Sequence, residues 1–75
     1  MNSNIALGIY EHYKGGRYEV IGVGLLESTQ EPVVIYKTLY KNELSELWVR
    51  PVSSFEETVD VNGEMVPRFR FLGQD

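Results

Sequence analysis

The chain of 75 residues predicts an all-β fold, and three features of the sequence indicate it. Short runs of alternating apolar and polar residues recur along the chain, and β-branched and aromatic residues are concentrated in those runs. Turn signals return about every ten residues, as in small sandwiches and barrels. No segment has the apolar spacing of a convincing helix. A chain of this length predicts a single domain over residues 1–75, because domains commonly contain roughly 100–150 residues.

Residues 17–26, "RYEVIGVGLL", predict a strand with two glycines on one face. Gly22 and Gly24 at this spacing indicate a sharp bend or the close approach of another backbone. Small closed barrels require such bends. A polar loop follows, and Pro32 opens the next strand, where its missing N–H does least harm.

Two further strands are predicted in the middle of the chain. Residues 33–40, "VVIYKTLY", are rich in β-branched and aromatic residues, with Tyr36 and Tyr40 on one face. Polar residues then interrupt the pattern until "LWVR" at residues 47–50 resumes it, and Pro51 ends that strand. A turn-prone stretch, with room for one turn of 3₁₀ helix, precedes the next strand.

The last third of the chain predicts a hairpin. Residues 55–61 alternate and residues 64–72 form the return strand, with Asn62–Gly63 between them. This dipeptide is the strongest short-range hairpin signal, because a type I′ turn needs positive φ at both central residues. Pro67 within the return strand indicates an edge or a bulge. We therefore predict a small SH3-like barrel of five to six antiparallel strands, since closure protects the apolar strand edges.

The composition excludes several classes of protein. There is no cysteine, which excludes disulfides and thiolate metal sites and favours a reducing cytoplasm for so small a domain. The N-terminal residues lack the basic start and apolar run of a signal peptide, and no run reaches the roughly 20 apolar residues of a membrane span. The net charge is −4 and the seven basic residues are scattered, so nucleic acid is not the expected partner.

Four short motifs resemble a known family. "HYKG", "LYK", "WVRP" and "VPRF", in this order and at these spacings, are similar to those of short bacterial domains classed as a domain of unknown function. The resemblance covers residues 9–71 and implies an SH3-type barrel, and it implies no activity. Where family members commonly carry His-Ser-Glu-Thr, this chain has Leu-Glu-Ser-Thr at residues 26–29. Any catalytic or metal-binding role of that stretch should therefore be missing here.

His12 is the only histidine, and two interpretations of it stand. It is either a ligand-facing donor beside Tyr13 and Lys14 or a strand-end residue before the turn at residues 14–16. The second is favoured, because catalytic histidines normally need an orienting partner. A lone histidine without cysteine does not make a zinc site, so we predict no metal and no cofactor.

No catalytic residue is predicted, and we expect the protein not to be an enzyme. The chain has no cysteine, and its serines fall in loop-like stretches. Glu56 and Glu57 are adjacent, so on a strand they point to opposite faces and do not form an acid–base pair.

The stretch "WVRP" carries two alternative roles. In the structural one, Trp48 lies in the core and Arg50 pairs with Glu57 to fix the corner after Pro51. In the functional one, Trp48 and Arg50 form an aromatic–arginine groove suited to a peptide or an anion. The structural role is favoured, because a small core can hardly leave its single tryptophan outside.

The sequence thus favours a non-catalytic binding or adaptor module that recognises a peptide or protein. The alternative is an accessory domain that binds an anionic small molecule or nucleotide through Arg50 and Lys14, with help from Arg68. The sequence does not decide the oligomeric state and is compatible with a weak homodimer. The candidate ligand-binding residues are the aromatic and charged side chains Trp48, Arg50, Glu57, His12, Tyr13, Lys14, Tyr36 and Arg68.

Overall fold

The computed structural model of the protein describes residues 5–41 and 43–74. These contain seven strands and one short helix. In chain order they are β1 Gly8–His12, β2 Arg17–Leu25, β3 Pro32–Thr38, β4 Leu47–Pro51, α1 Val52–Phe55, β5 Thr58–Val61, β6 Glu64–Pro67 and β7 Phe69–Gly73. The helix is too short to show apolar periodicity in the sequence, and it occupies the stretch where one helical turn was predicted.

Five strands form one antiparallel sheet in the order β4-β3-β2-β1-β7, and β5 and β6 form a separate hairpin. The β2–β3 register shifts between Val20 and Gly22, so a β-bulge lies at the predicted glycine bend. The prediction of a small all-β domain is confirmed, and the SH3-like barrel stays a prediction. The predicted count of five to six strands was too low, because the return strand at residues 64–72 is divided in two.

The division of the return strand has a backbone cause. Pro67 offers no N–H and ends β6. The next residue bonds in two directions: the N–H of Arg68 donates to the carbonyl of Glu57 at 2.9 Å, and the N–H of Tyr13 donates to the carbonyl of Arg68 at 2.9 Å. From Phe69 onward the chain pairs with β1 instead of β5. Pro67–Arg68 is therefore the link that joins the hairpin to the large sheet.

The hairpin turn has the predicted type I′ character. Asn62 and Gly63 have φ angles of 55° and 85°. The N–H of Gly63 also donates to Oδ1 of Asp60 at 2.8 Å. No atom lies within 4 Å of the position that a Cβ on Gly63 would take, so this glycine is needed for its backbone conformation alone.

Gly63→Val should therefore lower the free energy of unfolding by about 1–2 kcal/mol, the cost of a left-handed conformation for a residue with Cβ. The urea midpoint should fall with little change in the slope of the transition. An unchanged midpoint would contradict the assigned turn type.

Aromatic rings dominate the core. Phe55 and Phe69 stack at 4.4 Å between ring centroids, and Tyr10 meets Phe55 edge-on at 5.1 Å. The sequence placed Phe55 on a strand in phase with Glu57, and this was wrong. The α1 turn instead brings Phe55 under the sheet, and β5 begins only at Thr58. The core cluster comprises Tyr10, Val20, Val34, Tyr36, Phe55 and Phe69.

No helix within the described ranges is long and apolar enough to cross a membrane.

Candidate functional site

A cleft of about 630 Å³ lies beside the turn between β1 and β2, facing the β5–β6 hairpin. Its volume falls within the range of roughly 300–1,000 Å³ typical of ligand pockets. The turn side contributes His12, Tyr13 and Lys14, and the hairpin side contributes aliphatic residues with one acid. The hairpin residues are Val61, Glu64, Val66 and Pro67.

The turn that holds the first wall is tight. The N–H of His12 donates to the carbonyl of Gly16 at 3.0 Å, and the N–H of Gly15 donates to the carbonyl of His12 at 2.8 Å. Gly15 and Gly16 have φ angles of 96° and 87°, which only glycine adopts freely. The predicted plain turn at this position is confirmed. It leaves Tyr13 and Lys14 exposed on the rim of the cleft.

Two cations flank the ring of Tyr13. The Lys14 ammonium lies 5.7 Å from the ring centroid and the Arg68 guanidinium 6.0 Å from it. Arg68 also donates to Oε1 of Glu57 at 2.9 Å. Tyr13 is thus an exposed aromatic side chain with two cations within cation–π distance of its ring.

A charged pair lies at one end of the cleft. Arg70 Nη2 donates to Oε1 of Glu11 at 2.9 Å, because the two residues are opposite each other on β7 and β1. Arg17 approaches the other oxygen of Glu11 at 3.9 Å. The cleft therefore presents apolar and charged groups of both signs.

His12 ends β1 and packs against aromatic rings, with its centroid 4.7 Å from Tyr13 and 4.9 Å from Phe69. Its Nδ1 accepts a hydrogen bond from the N–H of Lys14 at 3.1 Å. Burial lowers the pKa of His12, and the cations Arg50, Arg68 and Lys14 lower it further. A neutral imidazole that accepts at Nδ1 carries its proton on Nε2. His12 is therefore a neutral donor at pH 7.

The pKa of His12, measured from its ring proton signals by NMR, should lie below the usual 6.5. The unfolded chain then binds more protons than the folded one just below pH 6.5. The free energy of unfolding should fall as the pH drops from about 6.5 through the pKa of the folded state. The contribution of His12 to it should be constant at pH values well above 6.5.

His12→Gln should remove this slope between pH 6.5 and 5. Urea midpoints at several pH values measure it. A pKa of His12 at or above 6.5 would contradict the assigned surroundings.

Trp48 combines features of its two predicted roles. It lies opposite Tyr36 on the inner face of the sheet and packs, partly buried, against the core cluster. Its indole Nε1 donates to the carbonyl of Ser45 at 3.1 Å. The ring therefore closes the edge of the core, with part of its surface left to solvent.

The predicted Arg50–Glu57 pair is wrong. Arg50 Nη1 donates to Oγ of Ser54 at 2.8 Å, and its guanidinium lies 5.4 Å from the centroid of Phe69. The α1 turn is the reason, because it brings the residue four positions after Arg50 beneath the guanidinium. Glu57 instead bonds Arg68 through both backbone and side chain.

The structure thus gathers the candidate residues into two neighbouring groups. His12, Tyr13 and Lys14 line the cleft and Arg68 lies beside them, whereas the other group comprises Trp48, Arg50 and Tyr36 at β3 and β4. The sequence did not single out the hairpin wall or the Glu11–Arg70 pair.

In the described part of the chain, no group of three or more His, Asp or Glu residues has an arrangement that holds a metal ion. The absence of a metal and of a cofactor stays a prediction. Elemental analysis of the purified protein is the direct check.

The fold and the site define a small all-β domain with an open cleft at one turn of its sheet. A family model described as "Protein of unknown function (DUF1653)" matches residues 8–71, and the chain therefore belongs to the DUF1653 family. This confirms the resemblance seen in the sequence. A comparison with curated proteins found no match.

The crystal structure of a DUF1653 protein from Bordetella bronchiseptica is similar to this chain. The two are 33% identical, the match covers 96% of this chain and 92% of that one, and the TM-score is 0.91. The fold is therefore shared over nearly the full length of both proteins.

Proposed function

We propose that the protein is a non-catalytic binding module that holds a peptide segment of a partner protein in the cleft beside the β1–β2 turn. The observation that carries this proposal is the cleft itself, with its volume of about 630 Å³ and its open aromatic rim. Clefts of this size with a few well-placed polar groups are the common form of a binding site.

Apolar contact is available on both sides of the cleft. The side chain of Tyr13 is 37% exposed, and Val61 on the hairpin is 36% exposed. Tyrosine makes a large contact at a small entropic cost, and Lys14 and Arg68 add positive charge near the ring of Tyr13. Tyrosine and arginine are enriched among the residues that dominate binding energies. These features support a side-chain groove for a peptide.

The charges of the cleft favour a polypeptide over nucleic acid. Lys14 and Arg70 are accompanied by Glu11 and Glu64 in the lining. Mixed signs select the register of a peptide through complementary charges, whereas a phosphate backbone needs a continuous basic surface. The net charge of −4 also disfavours the binding of nucleic acid.

The surroundings of His12 support a role without catalysis. The charged groups that shift its pKa are cations, and its Nδ1 accepts from a backbone N–H. A histidine that acts as a general base is commonly oriented by a carboxylate on that nitrogen. In this chain the Nδ1 of His12 instead accepts a hydrogen bond from the N–H of Lys14 in the turn.

The test is selection of peptides from a random library, with the selected peptides measured by fluorescence polarisation against purified variants. Tyr13→Ala and Val61→Asp should each weaken binding at least about tenfold, the change expected when a central contact of about 1.4 kcal/mol is lost. The matched control is Val49→Asp, on an exposed valine of β4 that does not line the cleft.

Failure to select any peptide with saturable binding would refute the proposal. The proposal would also be refuted if the selected peptides bound both cleft variants as well as the wild type and did not bind Val49→Asp.

A further inference from the structure

Arg50 differs from the other arginines in its lack of a counter-charge. Arg17, Arg68 and Arg70 each approach a glutamate, at 3.9, 2.9 and 2.9 Å. Within residues 5–41 and 43–74, no Asp or Glu lies within 4.0 Å of the Arg50 guanidinium. Acids are not scarce, since the chain has 11 acidic and seven basic residues. A half-buried guanidinium without a counter-charge is costly, and a bound anion would lower that cost.

Most of the donors of Arg50 remain unused. A guanidinium carries five N–H donors in a fixed plane. One nitrogen, Nη1, bonds the hydroxyl of Ser54 at 2.8 Å, and Nε is buried without a hydrogen-bond partner. Phe69 supports the group from below, at 5.4 Å from its ring centroid. The guanidinium is therefore held in place; the buried Nε is out of a ligand's reach, and Nη2, which makes no hydrogen bond with the described residues, is the nitrogen left for a ligand.

Arg50 and His12 pack against the same Phe69 ring, whose centroid lies 5.4 Å from the guanidinium and 4.9 Å from the imidazole centroid. Arg50 from β4, Arg68 from the link before β7 and Lys14 from the β1–β2 turn all act on His12. Arg68 is neutralised by Glu57, whereas Arg50 is not. The local potential is thus positive within an acidic chain, which favours an anion over a cation or a neutral ligand.

Tyr18 packs against the same Phe69 ring, with the two ring centroids 5.6 Å apart. The hydroxyls of Tyr18 and Tyr40 lie 3.0 Å apart, and Tyr40 is 45% exposed. Burial, followed by the hydrogen bond to Tyr40, raises the pKa of Tyr18 to about 12, while the charge of Arg50 opposes that rise. Tyr18 is therefore protonated at neutral pH and adds no negative charge near Arg50.

We propose that Arg50, together with the hydroxyl of Ser54 and with His12 beside it, forms a binding site for a small carboxylate- or phosphate-bearing molecule. The planar fork of the guanidinium matches both groups, each of which accepts two parallel hydrogen bonds. This site shares His12 with the peptide cleft but does not depend on the peptide proposal.

The test uses sodium sulfate as a tetrahedral dianion and sodium acetate as a carboxylate, each against sodium chloride at equal ionic strength. His12 is the only histidine, so its ring signals report directly on the neighbouring charge. The bound anion should offset the nearby cations, and the pKa of His12 should rise saturably with the anion concentration. Whichever probe binds more tightly identifies the natural group as phosphate-like or carboxylate.

Arg50→Gln should weaken this saturable effect at least tenfold. The pKa of His12 in the absence of added anion will be higher in this variant than in the wild type, because one cation is missing. The quantity compared is therefore the change in the pKa of His12 that the anion causes in each protein. Lys37→Gln removes one positive charge from β3, where Lys37 pairs with Glu19, and should leave the effect intact. Arg50→Lys keeps the charge without the fork and should bind measurably more weakly than the wild type. It also serves as the test if Arg50→Gln does not fold.

A response to sulfate and acetate no greater than to chloride would overturn the proposal. Equal binding by the wild type and both Arg50 variants would overturn it as well.

Discussion

Phe69→Ala should lower the free energy of unfolding by about 3–5 kcal/mol, the cost typical of a buried phenylalanine replaced by alanine. Phe69 is 6% exposed and stacks on Phe55 at 4.4 Å. Its ring also contacts His12 and supports Arg50, so the substitution leaves a cavity beneath both groups. Urea unfolding monitored by the fluorescence of the single tryptophan measures the change.

Phe71 provides the matched control, two residues further along the same strand. It is 45% exposed, so Phe71→Ala removes the same atoms from a site that solvent already reaches. Its effect should be clearly smaller. Equal losses for the two variants would mean that Phe69 is not at the centre of the core.

Gly8→Ala should be the second severe substitution. Gly8 has a φ of 137°, and a Cβ there would clash with the carbonyl oxygen of Gly73 and lie 3.0 Å from Cε1 of Phe71. The backbone conformation costs about 1–3 kcal/mol for alanine. Overpacking adds about 1–3 kcal/mol, because β1 and β7 must separate to make room.

Gly73→Ala separates these two contributions. Gly73 has a φ of 136°, but no atom lies within 4 Å of its missing Cβ. It should therefore show only the conformational part of the loss. If Gly8→Ala is no more destabilising than Gly73→Ala, the close contact between β1 and β7 is not as described.

The sequence predicted best those features that depend on local backbone chemistry. The Asn62–Gly63 turn, the start of β3 at Pro32 and the end of β4 at Pro51 follow from the φ values and the missing N–H of single residues. The division at Pro67 was predicted only as an edge or a bulge. Which partner the chain takes after Pro67 depends on distant strands.

Side-chain partners were harder to predict. The Arg50–Glu57 pair assumed a strand directly after the corner, but the α1 turn offers Ser54 to Arg50 instead. Glu57 then bonds Arg68, which is 11 residues away in sequence. The sequence indicated room for one helical turn in this stretch, but a four-residue helix leaves no periodic signal that would show which side chains it brings together.

Half of the candidate cleft was visible in the sequence. His12, Tyr13 and Lys14 are neighbours in the chain, and the tight turn after them keeps them together. The opposite wall depends on the hairpin forming its own sheet beside that turn. No residue pattern within the hairpin specifies that placement.

A map of amide chemical-shift changes tests the proposed peptide cleft most directly. The isotope-labelled protein would be titrated with the tightest-binding selected peptide. The proposed function predicts that the largest changes cluster in residues 11–15 and 61–67, the two sides of the cleft, and leave Leu47 and Val49 of β4 unchanged. Changes centred on Leu47 and Val49, with the two cleft segments unaffected, would contradict it.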